Sequence, residues 1–275
     1  MNRTSYRLIA LDLDGTALDS TGTIQPSTKT AVRNALDRGV TVVLVTGRHH
    51  VATAPFHREL GLKTPAICCN GAYVYDFATQ RAIVGDPMSP PQARHMLEIC
   101  RRHDVHCLLY TSEAMTYEIE NPHIARLKAW ADSFIPSLRP ELRQVASFER
   151  LIDNTPFLWK FVVSHDDPRV LSSWSADAQG GGDYAIEYSW TDRVDVTKAG
   201  NSKGRRLIEW ASSQNIEPSE IIAFGDNHND LSMIRAVGFG VAMGNAEAAL
   251  KADAAWVTTS NDRDGIATAL ERYLV

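Results

Sequence analysis

Short, unbroken apolar runs of strand length alternate along this chain with stretches whose apolar residues recur at helical spacing. The runs are Leu8-Ile9-Ala10-Leu11, Val40-Thr41-Val42-Val43-Leu44-Val45, Ala66-Ile67-Cys68-Cys69 and Ile221-Ile222-Ala223-Phe224, with shorter ones at 240–243 and 255–258. Continuous rather than alternating hydrophobicity suits strands covered on both faces, as in a parallel sheet. Helices are predicted over about 28–38, 50–60, 203–212, from 231 onward and over 264–273, with Gly39 a fitting stop and Pro55 a point where the second is interrupted or begun. The turn cluster Asp19-Ser20-Thr21-Gly22 predicts a small hairpin flap within 16–24. The fold class expected is α/β, a Rossmann-like parallel sheet with helices on both faces.

The pattern changes near residue 85. Pro87, Pro90 and Pro91 mark a junction, a helix follows over about 92–103, and mixed strand and helix patterns continue to about 190 around a loop at Gly180-Gly181-Gly182. Four of the six tryptophans lie in this stretch, at Trp130, Trp159, Trp174 and Trp190. Large residues of this kind fit a second core, so 85–193 is expected to be an inserted α+β domain between core segments 1–84 and 194–275. Trp159, Tyr188 and Trp190 have faces suited to a flat ligand, although the core of a modest domain needs such residues too.

The polar tips of the predicted strands carry the chemistry. The first run ends in Asp12-Leu13-Asp14-Gly15-Thr16, the second in Thr46-Gly47-Arg48, the third in Asn70-Gly71 and the fourth in Gly225-Asp226-Asn227-His228-Asn229-Asp230. In an open α/β sheet such tips gather at one edge, where ligands bind. Asp12 and Asp14 are two residues apart, so in an extended chain their carboxylates leave on one face. Two acids that close call for a cation or a proton between them, and hard oxygen ligands suit Mg2+. A calcium loop counted from Asp12 would need glycine and glutamate where Ala17 and Thr23 stand, so that reading fails. Lys203 at a predicted helix start, where a cation is mildly disfavoured, points to an anion nearby. Together the tips offer an acidic cation site beside phosphate binders. A carboxylate there can attack a phosphoryl group, and a second can protonate the leaving alcohol and then activate water. Neither a G-x-S-x-G elbow nor a P-loop competes. His49, His50 and His228 read as rim or supporting groups rather than metal ligands.

Composition narrows the setting. The 275 residues suffice for one large domain or two modest ones. Hydrophobic content of 44% with 22% charged residues is that of a globular protein, and a net charge of −5 argues against a nucleic-acid partner. No apolar run is long enough to span a bilayer, and the polar start before Leu8 leaves no room for a signal peptide. Cys68, Cys69, Cys100 and Cys107 lack CxxC spacing and read as reduced, mostly buried thiols, with Cys68 and Cys69 on opposite faces of a strand. A cytoplasmic chain, monomeric or a small homo-oligomer, acting on a small phosphorylated metabolite is the expectation.

Three of these tips, Asp12–Thr16, Thr46-Gly47-Arg48 and Gly225–Asp230, with Lys203-Gly204 as the third motif in order, resemble the four motifs of the haloacid dehalogenase superfamily, and the insertion falls where its Cof-type phosphatases carry a large α/β cap of the C2 type. The resemblance covers the whole chain and departs from the usual pattern at Ala17, where a larger apolar residue is customary. It implies Asp12 as nucleophile and Mg2+ ligand, Asp14 as general acid/base and a metal ligand through its backbone oxygen, and Asp226 as the third protein ligand. It implies Leu13 (through its N–H), Thr46, Gly47, Lys203 and Asn229 as phosphate binders, with Asp230 orienting Lys203 or completing the metal's outer shell. Arg48, His49, Asn70 and Gly71 are candidate substrate contacts. The stretches 46–51 and 66–71, and Trp159-Lys160-Phe161 with His165-Asp166-Asp167, are similar to a Cof-group phosphatase acting on pyridoxal 5′-phosphate, which implies that substrate, with sugar phosphates as the alternative. A sensor on the same frame would be marked by loss of one of the acids, and none is lost. A phosphomutase would need a second phosphate site.

Overall fold

The computed structural model describes residues 6–190 and 192–274, without the side chains of residues 189 and 190. The polar lead-in read at residues 1–5 and the side chain of Trp190 therefore lie outside the described residues. The first part of the chain runs β1 (Leu8–Leu11), α1 (Pro26–Asp37), β2 (Thr41–Leu44), α2 (His50–Glu59), β3 (Ala66–Cys68), β4 (Tyr73–Asp76) and β5 (Arg81–Gly85). The middle part runs α3 (Pro90–Arg102), β6 (His106–Thr111), β7 (Met115–Tyr117), α4 (Pro122–Asp132), β8 (Leu142–Gln144), α5 (Phe148–Asn154), β9 (Leu158–Ser164), α6 (Pro168–Gln179), β10 (Tyr184–Trp190) and β11 (Arg193–Lys198). The last part runs α7 (Lys203–Ser213), β12 (Ile221–Gly225), α8 (Leu231–Ala236), β13 (Phe239–Ala242), α9 (Ala248–Asp253), β14 (Trp256–Val257) and α10 (Gly265–Tyr273).

The apolar runs form a parallel sheet in the order β14-β13-β12-β1-β2. Every residue of β1 and of β12 is buried, as the unbroken hydrophobicity required. β3 continues the sheet through one parallel bridge, Val45 to Ile67, and a 2.9 Å bond from the Thr46 N–H to the Ile67 carbonyl. It then turns away as the first strand of an antiparallel β3-β4-β5 sheet. Because β1 and β12 are adjacent and parallel, Asp12 and Asp226 emerge side by side.

The middle segment forms a second sheet, β10-β11-β9-β6-β7-β8, antiparallel except for β7 with β8, and because β11 pairs in it as far as Lys198 the sheet runs past the boundary expected at residue 193. One face packs Leu109, Phe161, Val163, Val194 and Val196 against Met96, Phe148, Leu171 and Trp174 of α3, α5 and α6. Strand alternation sends the intervening residues to the opposite face, so Tyr110, Lys160, Val162 and Asp195 are directed at the strand tips of the parallel sheet.

Local chemistry accounts for four departures from the sequence expectations. The expected flap is one antiparallel bridge, Leu18 to Ile24, around a turn that the Asp19 carboxylate organises. Pro55 neither starts nor breaks α2, because its missing N–H costs one bond and its ring is buried. Cys69 is not a strand residue: it and Asn70 have φ near +50°, which ends β3 and turns the chain back. Tyr188 is 42% exposed and so does not belong to a core, whereas Trp159 is buried against Tyr73 and Phe157. All four cysteines are free, three of them buried.

Candidate active site

Directly after β1 the Asp12 N–H is bound to the Phe224 carbonyl at 3.2 Å, which fixes the carboxylate at the mouth of the sheet. The chain then turns within Leu13–Ala17. Gly15 has φ +75°, and a Cβ there would lie 2.3 Å from Asp226 Oδ2, so both the turn and the close approach require glycine. The Thr16 hydroxyl donates to Asp226 Oδ1 at 2.9 Å. Asp230 accepts the N–H groups of Asp226 and Asn227 on Oδ2, at 3.0 and 3.1 Å, and thereby shapes its own loop.

Lys203 ties these pieces together. It is fully buried in the first turn of α7 and donates to Asp12 Oδ1 at 2.7 Å and to Asp230 Oδ1 at 2.6 Å. Burial alone would lower its pKa, but the two carboxylates more than offset that and raise it. Burial pushes the Asp12 carboxyl well above the usual range, with Lys203 opposing and Asp230, Asp226 and Asp14 adding to the rise. Asp226 is pushed up to about 7, first by burial and then by Asp230. Crowded acids of this kind favour a cation.

The donor set fits a hard divalent ion. Carboxylate oxygens of Asp12, Asp226 and Asp230 lie within 4.8 Å of one another. Asp230 has both oxygens committed to Lys203 and to backbone N–H groups. Oδ1 of Asp12 takes Lys203 and Oδ1 of Asp226 takes Thr16, which leaves Oδ2 of each for a ligand. The carboxylate cluster thus contains Asp230 in place of Asp14, whose side chain turns to Arg48. Arg48 grips Asp14 with two bonds of 2.7 and 2.6 Å. Its guanidinium also lies 5.0 Å from the ring centroids of both Phe56 and Trp130. Burial would raise the Asp14 pKa, but Arg48 outweighs it and holds the carboxyl below its ordinary value.

The remaining expected residues separate into those at the site and those behind it. Thr46 is fully buried at the end of β2, and its Oγ1 accepts the Arg48 N–H at 3.1 Å. Gly47, Arg48, His49 and Asn229 line a cavity of about 500 Å³ whose floor is Asp12, Asp14 and Asp226. Leu13 is buried in the turn beside Asp12. His49 is kept neutral, with burial lowering its pKa to about 4, so Nε2 donates to the Thr111 carbonyl at 2.8 Å. Asn70 has both ends of its amide occupied, by Asp195 at 3.0 Å and Asn229 at 3.1 Å. Gly71 is not among the residues lining the cavity: its carbonyl accepts Arg206 Nε at 2.9 Å, and it packs on Ser202 ahead of α7. His50 stacks on Tyr75 away from the cavity.

Sequence reasoning assigned no site role to the residues of the wall opposite the acids. It consists of Tyr110, Met115, His123, Arg126, Trp130, Lys160, Val162, Arg193 and Asp195. The signal was faint but present: Lys160 interrupts a strand in which every residue is buried, and Asp195 stands between two buried valines.

The chain belongs to the haloacid dehalogenase-like hydrolases, whose family model matches residues 9–270. It is 42% identical over 269 residues to pyridoxal phosphate phosphatase YbhA of Escherichia coli strain K12, covering 98% of this chain and 99% of that protein. It is 25% identical to 5-amino-6-(5-phospho-D-ribitylamino)uracil phosphatase YwtE of Bacillus subtilis strain 168, covering 98% of each. A solved haloacid dehalogenase-like hydrolase from Bacteroides thetaiotaomicron superposes with a TM-score of 0.85 at 26% identity, covering 98% of this chain and 99% of that one. Among the described residues no helix is long and apolar enough to cross a membrane.

Proposed function

We propose that this chain is a Mg2+-dependent phosphomonoester hydrolase that works through an aspartyl-phosphate on Asp12 and takes pyridoxal 5′-phosphate as its substrate. The observation that carries the reading is Asp12 itself, a buried carboxylate oriented by Lys203, facing Asp226 across the cavity floor with Asp14 two residues on. The 42% identity to a pyridoxal phosphate phosphatase supports the substrate. The aromatic wall of Tyr110 and Trp130 suits a flat ring. A broader sugar-phosphate phosphatase is the alternative within the same chemistry.

Asp12 attacks phosphorus while the ester oxygen leaves, and Asp14 delivers a proton to that oxygen. Water then attacks the aspartyl-phosphate with Asp14 as base, and Asp12 is restored. Thr46, Lys203, Asn229 and the N–H of Leu13 hold the phosphoryl oxygens. Asp12 and Asp226, with the backbone oxygen of Asp14, would hold Mg2+, which when bound supplies the charge that lets an anionic carboxylate approach an anionic phosphate. Because Arg48 occupies Asp14, substrate entry has to release that grip before the proton can be delivered. The segment between β5 and α7 acts as a cap that covers the bound ester and excludes bulk water.

The test is phosphate release from pyridoxal 5′-phosphate beside sugar and nucleotide phosphates, with Mg2+, with EDTA, and with Asp12→Asn. A kcat/KM preference for pyridoxal 5′-phosphate that disappears in both controls is expected. Turnover of sugar phosphates alone would discard the substrate and keep the chemistry. Undiminished turnover by folded Asp12→Asn would discard the nucleophile.

A further inference from the structure

Two buried charges of the cap reach the phosphate end of the cavity, and the chemistry above uses neither. Lys160 of β9 and Asp195 of β11 are each 4% exposed, and their side chains pair at 2.9 Å. A buried ion pair is a weak source of stability, because removing both charges from water offsets most of their attraction, and a well-packed apolar pair would hold two strands as well. What distinguishes this pair is where its other bonds go. Lys160 Nζ also donates to the carbonyl of Gly47 at 2.7 Å, across from cap to core. Asp195 Oδ2 also accepts Asn70 Nδ2 at 3.0 Å, and Asn70 Oδ1 accepts Asn229 Nδ2 at 3.1 Å. A Cβ on Gly47 would lie 2.9 Å from Asn70 Oδ1 and 3.3 Å from Asp195 Oδ2, so these groups pack directly on that glycine.

The Gly47–Arg48 peptide is therefore held at both ends. Lys160 takes its oxygen, and Thr46 Oγ1 accepts its N–H at 3.1 Å. That bond occupies a lone pair of the Thr46 hydroxyl and leaves its hydrogen for another acceptor. A second string runs from Asp195 through Asn70 to the amide of Asn229. Both strings start on cap strands and end on residues assigned to the phosphate.

We propose that Lys160 and Asp195 are positioning residues that assemble the phosphate site when the cap is closed, Lys160 by fixing the Gly47–Arg48 peptide and with it the Thr46 hydroxyl, Asp195 by fixing Asn229 through Asn70. This rests on the phosphatase reading above. It separates from a leaving-group contact by what it affects: a group that organises the phosphate site acts on every ester alike and on inorganic phosphate itself.

The test uses the full chain with Mg2+ as wild type, Lys160→Met, Asp195→Asn and the charge-neutral Lys160→Met/Asp195→Leu. The readouts are KM and kcat for pyridoxal 5′-phosphate, a hexose 6-phosphate and p-nitrophenyl phosphate, competitive inhibition by inorganic phosphate, and Tm. Loss of a hydrogen bond from a charged donor predicts that Lys160→Met weakens inhibition by inorganic phosphate about tenfold or more, with kcat/KM falling by one common factor for all three esters. The double variant, which leaves no buried charge unpaired, regains stability but keeps the phosphate defect. Unchanged inhibition by phosphate in the folded double variant overturns the proposal, and so does a loss confined to one ester. A wild-type protein that hydrolyses none of the esters and is not bound by phosphate overturns the phosphatase reading instead, and this inference with it.

Discussion

Replacing Lys203 by methionine tests the electrostatic centre of the site without touching an acid. The ammonium group is fully buried and bridges Asp12 Oδ1 at 2.7 Å and Asp230 Oδ1 at 2.6 Å. Methionine fills a similar volume but leaves two buried carboxylates facing each other without a cation. Breaking a buried ion pair by removing one partner costs about 3–5 kcal/mol. At about 2–4 °C per kcal/mol for chains near this size, Tm at pH 8 should fall by about 10 °C. The sign of the pH dependence follows from the acids. Without Lys203 the folded pKa of Asp12, already raised by burial, rises further above its unfolded value, so the folded state is favoured by protonation, and stability is lost as pH rises through the raised value. The gap in Tm between wild type and Lys203→Met should therefore narrow from pH 8 to pH 5. It should also narrow on adding Asp230→Asn, which removes one of the orphaned charges. Differential scanning calorimetry on the purified chain in EDTA, across that pH range, measures both effects. A deficit of equal size at every pH, or none, would refute the claim that Lys203 neutralises the cluster.

Three further outcomes follow from groups around the cavity. Arg48 holds the Asp14 pKa down, so Arg48→Met should move the basic limb of kcat/KM to higher pH for an alkyl phosphate, whose leaving oxygen needs a proton, and leave p-nitrophenyl phosphate unaffected; identical profiles for both esters would contradict the acid role of Asp14. Glu187 stands across from Asp195 with its Oε2 buried and unpartnered, and burial raises its pKa to about 8. Stability from its protonated form is present below about pH 4.5, the ordinary glutamate value, and is lost as pH rises toward 8, so Glu187→Gln should raise Tm at pH 8 and change it little at pH 4.5. The cavity-facing Lys160 is kept as an ammonium by Asp195, against the pull of burial, so an aldehyde substrate should not be trapped on it; borohydride treatment with pyridoxal 5′-phosphate should leave Lys160 unmodified by peptide mass mapping, and a pyridoxyl adduct there would contradict that state.

Much of the core was legible because burial on both faces of a parallel sheet demands unbroken apolar runs, and those runs end where the acids begin. Asp12, Asp14 and Asp226 could be placed at one edge because each follows directly on an apolar run of a parallel sheet, and Lys203 from its misfit with a helix start. What the sequence left hidden was set by partners far along the chain. Nothing local to Asp14 announces that Arg48 will grip it, or that Asp230 will spend one oxygen on two backbone N–H groups of its own loop. Lys160 and Asp195 are separated by 35 residues and meet through neighbouring strands of the cap sheet. Gly71 sits beside site residues in sequence but faces α7, because the left-handed turn at Cys69 and Asn70 reverses the chain just before it. Periodicity reports the face of an element and is silent on a turn of this kind.

The most direct test of the central claim is to trap the intermediate. The chain is mixed with pyridoxal 5′-phosphate and Mg2+, treated with borohydride during turnover, digested and mapped by mass spectrometry. Reduction of an acyl phosphate converts aspartate to homoserine, so the account predicts homoserine at position 12 in the wild type, at no other acid, and none without substrate. Steady turnover with Asp12 intact, or homoserine at Asp14 or Asp226 instead, would contradict it.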